Sequence, residues 1–322
     1  MAELLPPEEF VKLYLERHLL TEELLTRHAI TGDLLPDVPI TSHQLKPAED
    51  YRVKIVHRFY DASVIKELLG PTRDRLREKA KERRVFTRLA PLCRPTFIGE
   101  HMECEYVPYH YIRMIHSNAD IVLRERGLYE PMRLRDALRT LVVRRNALVP
   151  LEKSVMPNAL SVHILPLTRD GYIVLTRRSP RLSIAANTLS MIEGYVEADR
   201  DLDEETAEDL AFIELEDEAG LKKGEIENYY IATYRSLRTL GRPLMLFFGF
   251  YNGSGEELKK RIEAVNSREH AGVEIVKLSS NASDVDEFLE NLDRKALEEF
   301  TRSRYSELSP TMKLYTHILA TL

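Results

Sequence analysis

An α/β sandwich is the fold class this sequence predicts, and three observations predict it. Two β-rich runs, "ALSVHILPLT" at 159–168 and "GYIVLTRRS" at 171–179, are joined through Asp170-Gly171, a strong hairpin signal. An acidic helical stretch at about 203–219 then lies between this hairpin and two further β-rich runs, "YYIATYRSL" and "PLMLFFGFYN". Helical candidates at 284–303 and 309–322 close the chain. Strands on both sides of a helix, with terminal helices to cover the sheet, make a layered α/β architecture.

The elements follow in order. "PEEFVKLYLERHLLTEELLTRHAI" spaces its apolar residues helically, and the proline-punctuated "LLPDVPITSHQLKPAED" reads as irregular connector. "YRVKIVHRFY" reads as a strand, and "TRDRLREKAKERRVFTRL", with interleaved charges, as a solvent-facing helix. "MECEYVPYHYIRMI" alternates enough for a strand or a strand pair, and "PMRLRDALRTLVVRRNAL" reads as a basic amphipathic helix. "PLMLFFGFYN" is rich in aromatics and apolar throughout, which suits a strand buried on both faces. The texture changes near Pro157, so the expected division is an N-terminal mixed α/β accessory region at 1–150 and the sandwich at 151–322. Use as a lid or as an arm for packing against another copy are both open to the first region.

The totals exclude several classes. A chain of 322 residues, 43% hydrophobic and 30% charged, is long enough for a large core with an appendage. It has no apolar run of about 18 residues, so no membrane partner is expected. The start, "MAELLPPEEFVKLYLERHLL", lacks the basic end and unbroken apolar core of a signal peptide, and a cytoplasmic location is expected. Only Cys93 and Cys104 occur, without Cys-x-x-Cys pairing, which argues against a zinc ribbon or disulfide framework. A net charge of −6 does not suggest a generic nucleic-acid binder, although the segment from Arg73 to Arg94 holds nine Lys/Arg against three acids.

The opposite bias marks residues 195–220, where twelve acids face a single base, Arg200. In a helix at about 100° per residue, Glu214, Asp217 and Glu218 share one side, being spaced i, i+3 and i+4. Ala207, Leu210 and Ala211 fall on that same side one and two turns earlier. The acids therefore continue a stripe whose other members want burial, and carboxylates turned inward need positive charge among them. Oxygen-only donors on a partly hydrated patch suit Mg²⁺ or Mn²⁺, ions often shared with substrate phosphates. The alternative is an acidic helix that faces water.

"EGYVE" followed by "IELEDEAGL" resembles the Nudix box, G-x5-E-x7-R-E-U-x-E-E-x-G-U, with U aliphatic, and the similarity spans about residues 157–320. The resemblance implies a Nudix-like α/β/α sandwich, the box forming a loop–helix–loop, and hydrolysis of nucleoside diphosphates linked to another moiety. It implies metal binding by Glu214, Asp217 and Glu218, with a carbonyl near Gly194 as a further ligand, and catalytic roles for Glu214 and Glu218. Arg177 and Arg178 stand at a strand end where relatives place arginines for phosphate or base. Gly194 and Glu205 are ten residues apart where the box has five, with "ADRDLD" inside the interval. The arginine of the box is replaced by Ile213, and an aliphatic side chain cannot orient carboxylates. A catalytically degenerate, nucleotide-sensing or interaction module is therefore the alternative to the hydrolase.

Beyond the box, the rigid fork of Arg177 or Arg178 would suit a pyrophosphate, with pairing to an acid of the box or exposure to solvent as the alternatives. Tyr195 is a candidate for stacking on a base. Glu197 would serve as an extra carboxylate or bind amides at the helix start. His101, His110, His116 and His163 show no metal-ligand spacing and read as ordinary core-edge or surface residues. Ser179 and Ser190 lack a G-x-S-x-G setting, so serine hydrolysis is remote.

Overall fold

A computed structural model of the chain describes residues 4–70, 91–116, 119–120, 122–123, 132–182, 185–197, 203–265 and 269–322. The expected charged helix within 72–89 lies outside these residues, as do positions 198–202 of the enlarged box loop.

Apart from three two-stranded ribbons, the helices and strands in chain order are α1 (Pro7–Glu16), β1 (Asp37–Pro39), β2 (Lys46–Pro47), β3 (Arg52–Phe59), α2 (Ser63–Leu69), β4 (Leu92–Ile98), β5 (Met102–Val107), α3 (Tyr109–Ile115) and α4 (Leu134–Leu138). They continue with β6 (Ser161–Thr168), β7 (Tyr172–Arg178), β8 (Leu189–Ser190), β9 (Ile192–Tyr195), β10 (Glu204–Thr206), α5 (Ala207–Ala219), β11 (Ile226–Ser236) and β12 (Arg242–Tyr251). The last are α6 (Gly255–Val265), β13 (His270–Lys277), α7 (Val285–Glu290), α8 (Arg294–Arg304) and α9 (Pro310–Thr321).

The hairpin forms as the sequence predicts. Asp170 Oδ1 accepts from Thr168 Oγ1 at 2.6 Å, and Gly171 N donates to Thr168 O at 2.8 Å. Gly171 takes a φ of +82°, and a Cβ there would overlap the Ser279 carbonyl, so glycine is required twice over. From this hairpin grows a mixed sheet of order β8-β7-β6-β12-β11-β1, with β9 also on β6, β13 on β7 and β2 on β11. The central pair β6–β12 is parallel.

Side-chain alternation sorts the two faces. Val162, Ile164, Val174, Met245 and Phe247 join one core with Leu210, Ala211 and Leu215 of α5 and Leu258 and Ile262 of α6. Leu165, Leu167, Leu175, Leu246 and Phe248 join another with Phe288, Leu297, Met312, Tyr315 and Ile318 of α7, α8 and α9. An α/β/α sandwich results, and the apolar run at 242–251 is covered on both faces. Tyr315 stitches the layers together: its Oη accepts from Phe247 N at 2.9 Å and lies 2.5 Å from His163 O.

Four boundaries differ from expectation. Residues 204–206 are a strand, because Glu205 pairs with Val53 in the second sheet (β10-β3-β5-β4), and α5 starts only at Ala207. "MECEYVPYHYIRMI" is one strand followed by a helix: Pro108 ends β5 and precedes α3. The expected basic helix at 131–148 is cut to α4, a 3-10 turn and a short hairpin, and Arg135 is buried against Asp120 at 2.6 Å. The helix expected at 284–303 breaks at Asn291, and the side chain of Asp293 caps the second piece by accepting from Ala296 N.

The two regions exchange strands. Residues 37–39 and 46–47 pair with β11 of the large sheet, while β10 pairs with β3 of the small one. Val53, Ile55, Met102 and Cys104 of the small sheet belong to the same core as α5. Helices α1 to α4 form a third core with Leu237 and Leu240 from the β11–β12 connection. The accessory region thus packs directly on the element that carries the candidate acids.

Candidate active site

Helix α5 is fixed at both ends. Thr206 and Asp209 form a capping box, Asp209 N donating to Thr206 Oγ1 at 3.2 Å and Thr206 N to Asp209 Oδ2 at 2.9 Å. At the other end Gly220 adopts the left-handed conformation, φ +62°, and Leu221 N closes on Leu215 O at 3.2 Å. The last turn contains acids and no base, which sets negative side chains at the negative end of the helix dipole.

The stripe is real but narrower than expected. Ala207, Leu210, Ala211 and Glu218 are buried and Glu214 is half-buried, whereas Asp217 is exposed. At about 100° per residue Asp217 lies roughly 80° off a line through Ala207, at the edge of the stripe, which corrects the inward trio to an inward pair. Ile213, 40% exposed, points away from that line.

Gly194 on β9 receives the first acid. A Cβ at that position would overlap the Glu214 carboxyl group, so the carboxyl rests against bare backbone. The neighbouring amide serves the second acid: Glu193 N lies 3.4 Å from Glu218 Oε2. Glu218 also meets His270, whose Nε2 is 3.2 Å from the same oxygen. Burial, then the charges of Glu218, Glu269, Asp217 and Glu197, push the Glu214 carboxyl up to about 8. Burial likewise raises Glu218, with His270 opposing it and Glu269 and Glu193 adding to it.

The side chain of Glu193 turns to a different set of groups. Its Oε1 accepts from Arg178 Nη1, and its Oε2 is 2.8 Å from His163 Nδ1. Burial alone would raise this carboxyl, but Arg178, His163 and Arg242 outweigh it and hold it well below the usual carboxylate range. His163 is buried, and its Nε2 lies 2.9 Å from Ser161 Oγ.

The residues singled out in the sequence are thus divided. Gly194, Glu214 and Glu218 come together, and Arg178 reaches the same strand through Glu193. Arg177 is engaged elsewhere: Nη2 is 2.6 Å from Glu274 and 3.0 Å from Glu307, and Nη1 binds Asn187 O at 2.9 Å. The arginine pair therefore splits between two networks. Tyr195 is half-buried and has internal partners: Arg242 Nη1 donates to its Oη at 3.0 Å, the Arg242 guanidinium lies 5.3 Å from its ring centre and Tyr109 meets it edge-on. Glu205 is buried in β10, outside the group of acids around Glu214. His116 and His163, expected at a core edge or the surface, are both only 1% exposed.

Two participants had no signal in the sequence, His270 and Glu193. His270 comes beside the acids because it stands opposite Arg178 in the β7–β13 pairing, a contact of strands almost a hundred residues apart. Glu193 was read as one letter of a box motif, and its pairing with His163 is likewise a cross-strand match.

No protein-family model matches the chain, and no curated protein matches it. Solved structures do. A protein of Deinococcus radiodurans aligns at 15% identity and a TM-score of 0.35, over 50% of this chain and 82% of its own. The MutT protein of Methanosarcina mazei aligns at 16% and 0.30, over 50% and 91%. A NUDIX-family hydrolase of Clostridium perfringens aligns at 10% and 0.28, over 51% and 97%.

In kind the donors suit a hard cation, being carboxylate oxygens backed by main chain. In number they are sparse: among the described residues no three His, Cys, Asp or Glu side chains are grouped to hold a metal. Two carboxylates with main-chain and solvent oxygens are nonetheless what Mg²⁺ accepts. Burial and then the neighbouring acids raise Glu214, and a bound cation would offset both by favouring its ionised form. Among the described residues, no helix is long and apolar enough to cross a membrane.

Proposed function

We propose that the chain is a Nudix-type pyrophosphohydrolase that uses Mg²⁺ or Mn²⁺ to hydrolyse a nucleoside diphosphate linked to another moiety. One observation carries the reading: the Glu214 carboxyl is seated on the bare backbone of Gly194, beside Glu218, where burial first and the neighbouring acids second oppose its ionisation. Glu214 and Glu218 would hold the ion, with the Gly194 carbonyl beside them and Asp217 at the rim. A divalent ion bound there supplies Lewis acidity towards the diphosphate oxygens.

The remaining work falls to the protein. Water adds across the P–O–P linkage and the phosphoanhydride bond breaks, giving a nucleoside monophosphate and a phosphorylated remainder. Glu269 and Glu197, whose charges bear on Glu214 from outside α5, are the candidates to take the proton from that water. Of the two adjacent arginines, Arg178 is the one that reaches the strand seating the acids, through Glu193, and it is the candidate to counter charge on the leaving phosphate.

Mg²⁺-dependent phosphate release from a panel of nucleoside diphosphate derivatives tests the proposal. Turnover is expected, and Glu214→Gln or Glu218→Gln is expected to lower it by about 10²-fold or more. A second reading, a sensor that binds a nucleotide-type ligand without cleaving it, draws on the exposure of Ile213 and Asp217, neither of which helps to orient the acids. Ligand binding by the unaltered chain with no turnover across the panel would favour the sensor.

A further inference from the structure

Strand β9 meets the two acids with its main chain alone: bare Cα to Glu214, amide to Glu218. The β6–β9 ladder keeps the strand in register, and the Glu193 amide donates to Glu218. A further hold comes from the other face. Successive side chains of a strand point to opposite sides, so while Ile192 packs in the α5 core, Glu193 points away from it. There its two oxygens meet separate partners: Arg178 donates to one, and Nδ1 of His163, which stands opposite Glu193 in the β6–β9 pairing, lies 2.8 Å from the other.

His163 is itself fixed on three sides. Its Nε2 is 2.9 Å from Ser161 Oγ, its carbonyl lies 2.5 Å from Tyr315 Oη, and its strand runs parallel to β12 through the middle of the sheet. Ser161, His163 and Glu193 stand in the order of a nucleophile, base and acid. Ser161, however, is 2% exposed and also lies against Pro243 O, so the row has no route to a substrate and serves as a support.

We propose that Glu193 is the positioning residue of the carboxylate site: anchored by His163 and Arg178, it sets the height of the Gly194 seat and the Glu193 amide against which Glu214 and Glu218 are aligned. The inference rests on the cation site proposed above and not on hydrolysis. It assigns to a residue outside α5 the orienting work that Ile213 cannot do. Outer partners of this kind are worth about 10–100-fold in metal affinity.

Mn²⁺ titration, followed by the electron paramagnetic resonance signal of the free ion, tests it on the full chain below each variant's melting temperature. Glu193→Gln is expected to weaken Mn²⁺ binding by about 10–100-fold. His163→Leu, which removes the imidazole beside Glu193, should do the same, and His163→Asn, which keeps a polar group near the place of Nδ1, should retain the original affinity. An unchanged dissociation constant in Glu193→Gln would overturn the proposal. Should that variant fail to fold, the two His163 variants decide, and equal affinities in both would overturn it as well. If the unaltered chain binds no Mn²⁺, the cation site falls and this inference with it. If it binds and the variants do not differ, only this inference falls.

Discussion

Glu214→Gln is expected to raise the melting temperature of the divalent-free protein at pH 8 while abolishing the stabilisation that Mg²⁺ or Mn²⁺ confers. The folded protein holds this carboxyl at about 8 against an ordinary 4.5. A carboxyl raised by folding contributes stability that is fully present below the ordinary value and is lost as pH rises through the folded one. Between about pH 4.5 and 8 the native state is therefore penalised, by as much as ~5 kcal/mol at the top of the range if the whole shift is realised. Glutamine has nearly the same shape and no charge to lose, so it removes that slope. The cation acts in the opposite sense, favouring ionised Glu214, and its stabilising effect on the original protein should grow with pH over the same window. Thermal melts at pH 5 and pH 8, with and without Mn²⁺, read both effects. Equal pH slopes in the two proteins would show that Glu214 is not held in this way.

Glu105→Ala is expected to produce the largest loss of stability, about 3–5 kcal/mol. Glu105 and Arg94 are each 4% exposed and paired at 2.5 Å. Arg94 also donates from Nε to Met156 O at 2.8 Å and from Nη2 to Ser154 O, while Arg58 Nε reaches the second Glu105 oxygen at 2.7 Å. The pair therefore ties the small sheet to the segment that leads into β6. Removing the acid leaves a buried guanidinium without its counter-charge, which costs far more than an exposed pair would. Urea unfolding should show a lowered midpoint at an unchanged slope, with Glu105→Gln intermediate because an amide oxygen still accepts from one arginine. A midpoint within error of the original protein would mean that the arginine is satisfied without Glu105.

The sandwich was legible because its signals are local. The β-rich runs at 159–168 and 171–179, the Asp170-Gly171 turn that joins them and the apolar run at 243–252 each fix their own backbone, and all form where expected. The start of α5 was not legible, since 204–206 would extend the helix but for the edge of β3 that they pair with. The site was readable to the same depth. Helical spacing places Glu214 and Glu218 on the buried stripe, and Gly194 matches the box glycine at which the Glu214 carboxyl rests. Spacing placed Asp217 there too, because three and four residues from Glu214 are equivalent in sequence, whereas the stripe drifts around the helix and leaves only Glu218 inside. Arg177 and Arg178, adjacent on one strand, offer the same chemistry on opposite faces, and sequence alone does not say which face meets the acids. Only the assembled sheet shows one of them facing Glu274 and Glu307 and the other facing Glu193. His270 and His163 owe their positions wholly to cross-strand pairing, which leaves no trace in a single sequence.

The most direct test is an anomalous difference map from a crystal of the full chain soaked in Mn²⁺. A peak between the Glu214 and Glu218 carboxylates, next to Gly194, and absent from Glu214→Gln crystals, is the expected result. A map without a peak there, with the Glu214 carboxyl still resting on Gly194, would contradict a cation site on α5 and the hydrolysis proposed from it.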